Sequence, residues 1–303
     1  MVFKWPLNMI LLTGASGFLG KTIQHSLGKE KLKTLSRMDS DYSVFLNKDV
    51  PVFNSQFEII IHSAGKAHSI PKTVTQKKEY FDINVTGTSN LLQGLENSMA
   101  PKSFIFLSTV AVYGAKSGKL INEERPLAAL DPYGRSKLQA EKLIWDWCQK
   151  NEVICTILRL PLIAGPNPPG NLSAMIKGIQ KGYYFNIAGG NAKKSVALAE
   201  DVAKIIPVAA NIGGIYNLTD GYHPSFSELS ELIAKQLNKK KPANIPLWLA
   251  KSIAKVGDLL GTKAPLNSDK LKKITSDLTF DDSKARELLG WNPTPVLKGF
   301  KIA

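Results

Sequence analysis

The chain has 303 residues, 44% of them hydrophobic and 21% charged, a globular composition with room for one large domain or two small ones. Two cysteines, Cys148 and Cys155, cannot supply a disulfide framework, and no apolar stretch reaches the ~20 residues needed to cross a bilayer. Lys and Arg number 39 against 25 acids, a net +14, which suits an anionic small molecule, an acidic membrane surface or a nucleic acid.

No nucleic-acid-binding pattern accompanies the scattered lysines, so no nucleic-acid partner is expected. Met1–Pro6 is too short, and too soon followed by patterned sequence, to be read as a signal peptide. Buried free thiols fit a reducing compartment, and a cytoplasmic location is expected. The first apolar run, Met9–Leu12, leads straight into Thr13-Gly14-Ala15-Ser16-Gly17-Phe18-Leu19-Gly20, and Ile23 and Leu27 continue as a helix. Leu32–Leu35, Glu58–His62, Phe104–Leu107 and Ile154–Leu158 read as further strands, with helices over Tyr80–Leu95 and Ser136–Gln149. Strands alternating with helices predict βαβ crossovers, and so an α/β protein with a doubly wound parallel sheet. The poorly patterned stretch from Arg37 to Glu58 predicts that one helix is missing.

Leu160–Gly170 carries four prolines and two glycines and reads as a loop leaving the sheet. Val196–Ala210 and Gly214–Leu218 read as returns to it. Beyond Ser225 the chain is mostly helical. Ser225 and Glu228 form a candidate capping box, and a helix over Asp281–Leu289 is stopped by Gly290 with Pro293 beyond. The segment Pro246–Leu260 is unusually apolar: Leu247, Trp248, Leu249, Ile253, Val256, Leu259 and Leu260, with Lys251 and Lys255. Packing on the smaller domain is the preferred expectation, and contact with a membrane surface or a partner is the alternative.

Gly14-x-x-Gly17-x-x-Gly20 sits between a strand and a helix. One glycine permits the tight turn, one lets backbone approach a pyrophosphate, and one lets the helix pack on the strand. The helix N-terminus then offers free N–H groups to the anion. Tyr133 and Lys137 are spaced i, i+4 and share one helix face. A phenol near pKa ~10 is a poor proton carrier at neutral pH, and a cation one turn away is expected to lower it. The strand Phe104–Leu107 ends in Ser108 and Thr109, whose hydroxyls can bond a substrate oxygen or the local backbone.

Together these residues resemble the extended short-chain dehydrogenase/reductases that act on nucleotide sugars as epimerases, dehydratases and ketoreductases. The resemblance runs through Thr13–Gly20, Ile61-His-Ser-Ala-Gly65, Asn84-Val-Thr-Gly-Thr88, Leu107-Ser-Thr-Val-Ala-Val-Tyr-Gly114, Asp131-Pro-Tyr-Gly-Arg-Ser-Lys137 and Leu288-Leu-Gly-Trp-Asn-Pro293. It implies a Rossmann-type dinucleotide-binding domain over residues 1–165, with returning segments at about 192–218. It implies a smaller substrate domain from 166–191 and 219–303. By the resemblance Thr109, Tyr133 and Lys137 are the catalytic triad, with Lys137 also on the nicotinamide ribose. Gly14, Ser16, Gly17, Phe18, Leu19 and Gly20 would hold the cofactor, with Ser63, Ala64, Gly65 and Leu162 along its groove. Asp49 and Val50 would lie by the adenine, and Asn84 under the active-site helix. Asn171 and Lys194 would meet the substrate with Thr109. A homodimer is usual for such enzymes, and no metal is expected.

Three departures refine this. Val110 and Ala111 stand where sugar 4,6-dehydratases carry Asp-Glu, which disfavours elimination of water. Ala164 replaces a tyrosine in the V-Y-G-P pattern. The second strand ends Ser36-Arg37, where NAD users place an acid on the ribose 2′-hydroxyl. NADP(H) is therefore favoured and NAD(H) still acceptable. The expected substrate is a UDP-sugar. Reduction of a UDP-4-keto-6-deoxy-N-acetylhexosamine stands slightly ahead of UDP-hexose 4-epimerisation. A cofactor-binding scaffold without catalysis is the non-enzyme alternative.

Overall fold

The computed structural model describes residues 9–28, 32–67, 69, 71–261, 264 and 266–302; Met1–Pro6 lie outside them. The first part of the chain runs β1 (Ile10–Thr13), α1 (Phe18–Leu27), β2 (Leu32–Ser36), β3 (Tyr42–Ser43), β4 (Ile59–His62), α2 (Val74–Phe81), α3 (Gly87–Glu96), β5 (Ser103–Thr109), β6 (Gly118–Ile121), α4 (Pro132–Lys150) and β7 (Ile154–Leu160). A π-helical turn over Asp82–Thr86 joins α2 to α3. Then follow β8 (Leu162–Ala164), α5 (Gly170–Gln180), β9 (Asn186–Ile187), β10 (Val196–Leu198), α6 (Ala199–Ile212) and β11 (Gly214–Asn217). The remainder is α7 (Phe226–Gln236), β12 (Asn244–Ile245), α8 (Leu247–Leu259), α9 (Ser268–Thr275), β13 (Leu278–Phe280), α10 (Ser283–Leu289) and α11 (Val296–Gly299).

Seven strands make one sheet in the order β11-β7-β5-β4-β1-β2-β3, and every pairing is parallel. The order reverses between β1 and β4, which opens a crevice at the carboxyl ends of the strands. Both faces are covered, so the strands read as nearly continuous apolar runs. Successive residues still serve opposite faces. Leu12 and Ile61 join Ile23, Val202 and Ile206 on one side, while Leu11 and Ile60 join Leu91, Leu95, Ile144 and Trp147 on the other. No helix forms between Arg37 and Glu58, as the weak patterning predicts. Cys148 and Cys155 are free and buried.

Two details differ from the sequence reading. Helix α4 begins one turn earlier than Ser136: the Asp131 side chain accepts from the Gly134 amide at 3.0 Å, and Pro132 occupies the first turn. Tyr133 therefore stands in the helix's first turn. Val196–Leu198 does not rejoin the main sheet. It pairs with β8 as a separate parallel ribbon, and it is α6 behind it that packs on the sheet. A second core gathers Leu172, Met175, Ile179, Val196, Leu229, Ile233, Val296 and Phe300. Ribbons β9–β12 and β6–β13 complete this part, and Leu289 and Trp291 return to the main sheet's core. The Ser225–Glu228 capping box forms, and Gly290 ends α10 at φ +64°.

His62 ties three elements together. Its Nδ1 lies 2.6 Å from the Thr13 hydroxyl on β1, and its Nε2 lies 3.0 Å from the Thr88 hydroxyl on α3. Burial, reinforced by the Lys137 ammonium, pushes its pKa from 6.5 down to about 3. The unfolded chain thus takes up a proton below pH 6.5 that the folded chain refuses until about pH 3. Stability is lost as pH falls through that window, by ~1.4 kcal/mol per pH unit from this group. Urea unfolding at pH 6.5, 5.5 and 4.5 should show a shallower acid loss in His62→Gln than in the unsubstituted protein. Equal slopes would remove His62 from the account.

Candidate active site

The phosphate end of the site follows from two glycines. Gly14 has φ +70°, and a Cβ there would fall 2.6 Å from the Ala64 amide nitrogen. A Cβ on Gly20 would fall 2.2 Å from the Gly14 carbonyl oxygen. Only glycine allows the turn at the first position and the close packing of α1 at the second. Gly17 caps α1 without a side-chain bond, so the first amides of that helix face the crevice.

Two adjoining cavities form one groove over the sheet's carboxyl edge. The first, about 570 Å³, is lined by Gly14, Ser16, Gly17, Ser36, Arg37, Leu46, Asn47, Lys48, Ser63, Ala64 and Gly65 among others. The second, about 510 Å³, shares Gly17, Ser63, Gly65 and Lys66 with it and reaches Phe18, Leu19, Thr109, Tyr133, Lys137, Leu162 and Asn171. The cradle that added Cβ atoms would fill, the free helix N-terminus and the length of the groove fit a dinucleotide.

Asp49 and Val50 do not line it. They are exposed outside the pocket, and Asn47 and Lys48 occupy the wall where they were expected. Ser36 is buried and its hydroxyl donates to the Met38 carbonyl at 2.7 Å, so it is already engaged. Arg37 is exposed at the rim. Lys48 sits over the Phe45 ring at 5.7 Å. No carboxylate lines this cavity among the described residues.

At the other end, β5 and α4 bring Thr109, Tyr133 and Lys137 together. Thr109 closes β5 and accepts from the Ala111 amide at 3.2 Å, which caps the short turn Val110–Tyr113. Thr109 and Tyr133 line the same cavity. The Tyr133 ring is partly exposed to the cleft and lies 6.0 Å from the Tyr80 ring. Burial pushes its phenol up to about 12, against the smaller opposing pull of the nearby Thr109 hydroxyl. The expected lowering by Lys137 is not what the fold produces. Lys137 is buried, donates to the Leu107 carbonyl at 2.7 Å and lies 3.7 Å over the Phe106 ring. Desolvation pulls its pKa down to about 7, opposed by Glu141.

Asn84 lies in the π-helical turn and grips α4 from below. Its amide donates to the Ser136 hydroxyl at 2.8 Å and to the Lys66 carbonyl at 3.1 Å, and its oxygen accepts the Lys66 amide at 2.6 Å. Asn171, at the start of α5, is exposed into the cleft. Lys194 is not brought there. Its ammonium donates to the Lys273 and Ser276 carbonyls at 3.0 and 2.9 Å, so it braces the end of α9.

Sequence reasoning missed a buried network beneath Thr109. Glu141 accepts from Arg159 through both oxygens at 3.2 and 2.8 Å and also from Ser108. Arg159 reaches the Tyr113 hydroxyl at 3.0 Å, which donates to Asn217 at 2.8 Å. The signal was present: Glu141 follows Lys137 by the same four residues that separate Lys137 from Tyr133. Lys66 and Tyr80, which flank the cleft, carried no comparable spacing. The described residues contain no cluster of His, Cys, Asp and Glu able to hold a metal ion.

A dinucleotide groove ending in a Thr-Tyr-Lys cluster defines an oxidoreductase-type α/β protein of the short-chain class. Residues 10–218 match the NAD dependent epimerase/dehydratase family, and the chain belongs to it. It is 29% identical over 296 residues to the N-acetyl-alpha-D-glucosaminyl-diphospho-ditrans,octacis-undecaprenol 4-epimerase of Escherichia coli O157:H7, covering 91% of this chain and 88% of that one. It is 28% identical to the UDP-glucose 4-epimerase of Vibrio cholerae, covering 98% and 94%. Among solved structures, RMD from Pseudomonas aeruginosa complexed with NADPH superposes with TM-score 0.71 at 21% identity, covering 95% and 94%. The UDP-glucose 4-epimerase of Thermus thermophilus in complex with NAD gives 0.70 at 20%, covering 94% of each. These structures share the fold, and between them hold either nicotinamide cofactor.

Glu141→Ala should strand the Arg159 guanidinium in the interior and cost about 3–5 kcal/mol of stability. Urea denaturation with far-ultraviolet dichroism measures it. A loss below about 1 kcal/mol would mean that water replaces the carboxylate.

Proposed function

We propose that this enzyme oxidises and reduces the C4 position of a hexose carried on a diphosphate, and that its reaction is 4-epimerisation. The observation that carries the reading is the gathering of Thr109, Tyr133 and Lys137 at the closed end of the groove, with Asn171 across the cleft. Sequence reasoning placed net reduction slightly ahead. Two relatives aligned over most of their length, both 4-epimerases, move epimerisation to the front. Their names give two carriers for the sugar, a nucleotide and a polyprenyl diphosphate. The shared chemistry is a hexose on a diphosphate.

Bound NAD(P) supplies the acceptor and donor of the hydride. In the first half-reaction the C4–H bond breaks with its electron pair, and Tyr133 takes the hydroxyl proton. Thr109 would hold the reacting oxygen, and Lys137, one turn along α4, shares a helix face with Tyr133. In the second half-reaction Tyr133 returns the proton to the C4 oxygen after the keto sugar has turned its other face. Tyr133→Phe should retain the fold and cofactor binding and lose on the order of 10²–10⁴ in rate. Near-normal turnover would sink the assignment.

Arg37 and Lys48 favour a second reading, net 4-keto reduction with NADPH, because two cations and no acid line the cavity that would take the adenosine end, where a ribose 2′-phosphate would need a cation. Fluorescence titration of both cofactors tests the pocket. NADPH should bind more tightly than NADH, and Arg37→Ala should weaken NADPH by about tenfold while leaving NADH unchanged. The reaction itself is decided with UDP-N-acetylglucosamine, UDP-glucose and a UDP-4-keto-6-deoxy sugar as alternative substrates. Interconversion of epimers without mass change supports the leading reading. Stoichiometric NADPH oxidation with a two-hydrogen mass gain hands the case to reduction.

A further inference from the structure

Helix α8 is turned the opposite way from the packing its apolar residues predict. Its buried residues are Ala250, Ala254 and Gly257, and this small-residue stripe faces α9. A Cβ on Gly257 would fall 1.9 Å from the Leu266 carbonyl oxygen, so the close approach of the two segments fixes the orientation. The large residues are left outside. Trp248 is 69% exposed, Val256 65% and Leu259 88%, and Leu249, Ile253 and Leu260 accompany them. At 3.6 residues per turn these six span an arc of about 140°, interrupted only by Ser252. Lys251 and Lys255 flank the arc on one side.

A basic pocket stands at the approach to this helix. Lys181, Lys239, Lys240 and Lys241 line it, and Tyr183 and Phe185 are exposed beside it. Only Lys241 has an acidic partner among the described residues, Glu231 at 2.6 Å. The parallel ribbon β9–β12 leads from the pocket to α8: Phe185 precedes β9, and Ala243 precedes β12. Lys241 and Leu247 are six residues apart, at most ~20 Å of chain.

We propose that α8 and this lysine pocket dock the protein on an anionic lipid surface, with the apolar arc in the interfacial region and the lysines on the headgroups. The chemistry matches an interfacial helix: an apolar face outward, aromatic side chains at its edge and cations flanking it. A second copy of the chain is a poorer occupant. A two-fold contact through this face would set the lysines of one copy near those of the other, and like charges oppose that pairing. Helix α5 relates the surface to the cleft. Asn171 lines the cleft, and Ile179 and Gln180, about 12 Å along the helix, line the lysine pocket. Docking would therefore bring the cleft close to diphosphates at the membrane. That last step rests on the C4 reading, whereas docking itself does not.

Co-sedimentation of the full chain with vesicles tests it, without substrate. Phosphatidylcholine vesicles containing phosphatidylglycerol should retain the protein, less so at high salt, and pure phosphatidylcholine vesicles should retain much less. Trp248→Glu/Leu259→Glu should lower partitioning by about tenfold or more, with unchanged melting temperature and cofactor binding. Lys239→Glu/Lys240→Glu lies outside α8 and should do the same, so a misfolded α8 variant does not decide the matter. Absence of binding to the anionic vesicles, or equal binding by both variants, overturns the proposal. So does light scattering that shows a dimer split by the α8 substitutions while no vesicle is bound. Failure here leaves the C4 chemistry standing, because that is assayed on soluble substrates.

Discussion

Lys137 carries its ammonium into a site almost closed to water, and the geometry around the cleft answers to that burial. An uncompensated cation there would cost several kcal/mol. The compensation is partial: a carbonyl from β5, the face of Phe106, and Glu141 one turn further along α4. Glu141 in turn is held by Arg159 from β7 and by Ser108 from β5. One charge thus locks the active-site helix to two adjacent strands. Asn84 holds the same helix at Ser136, beside Lys137. Tyr133 is carried by a helix tied to β5, β7 and the π-helical turn.

Much of the fold was legible because parallel strands and amphipathic helices leave strong local patterns. The glycine turn, the Tyr133–Lys137 spacing, the Ser225 cap and the Gly290 stop are local statements, and the structure places each where it was read. What was not legible depends on distant partners. The pairing of β6 with β13 joins Gly118 to Leu278, and no local pattern announces it. The resemblance puts Lys194 on the substrate, yet carbonyls at the end of α9 claim it. Asp49 and Val50 missed the pocket because the short β3 and the loop after it set the wall with Asn47 and Lys48 instead.

Helix α8 shows how periodicity misleads when small residues decide the packing. Counting large apolar side chains predicts that they are buried. Three small residues at i, i+4 and i+7 instead allow backbone-close contact, and that contact takes the inner face. The large side chains are then left on the surface, where singly they would need no explanation but as a continuous arc they do.

On the C4 reading, the protonation of Tyr133 matters in both half-reactions. In the folded chain the phenol is pushed up to about 12, so it is a proton donor at neutral pH. Donation to a keto oxygen needs no prior change, whereas removal of a proton from a sugar hydroxyl needs the phenolate. Lys137 cannot supply that alone, since its own charge is weakened toward a pKa of about 7. A bound oxidised nicotinamide would bring a positive charge that a reduced one lacks, and a positive charge nearby lowers the pKa of a phenol. On the C4 reading the two half-reactions would call on opposite protonation states of Tyr133. An enzyme that must use both in one turnover, as a 4-epimerase does, would gain from a phenol that answers to that charge.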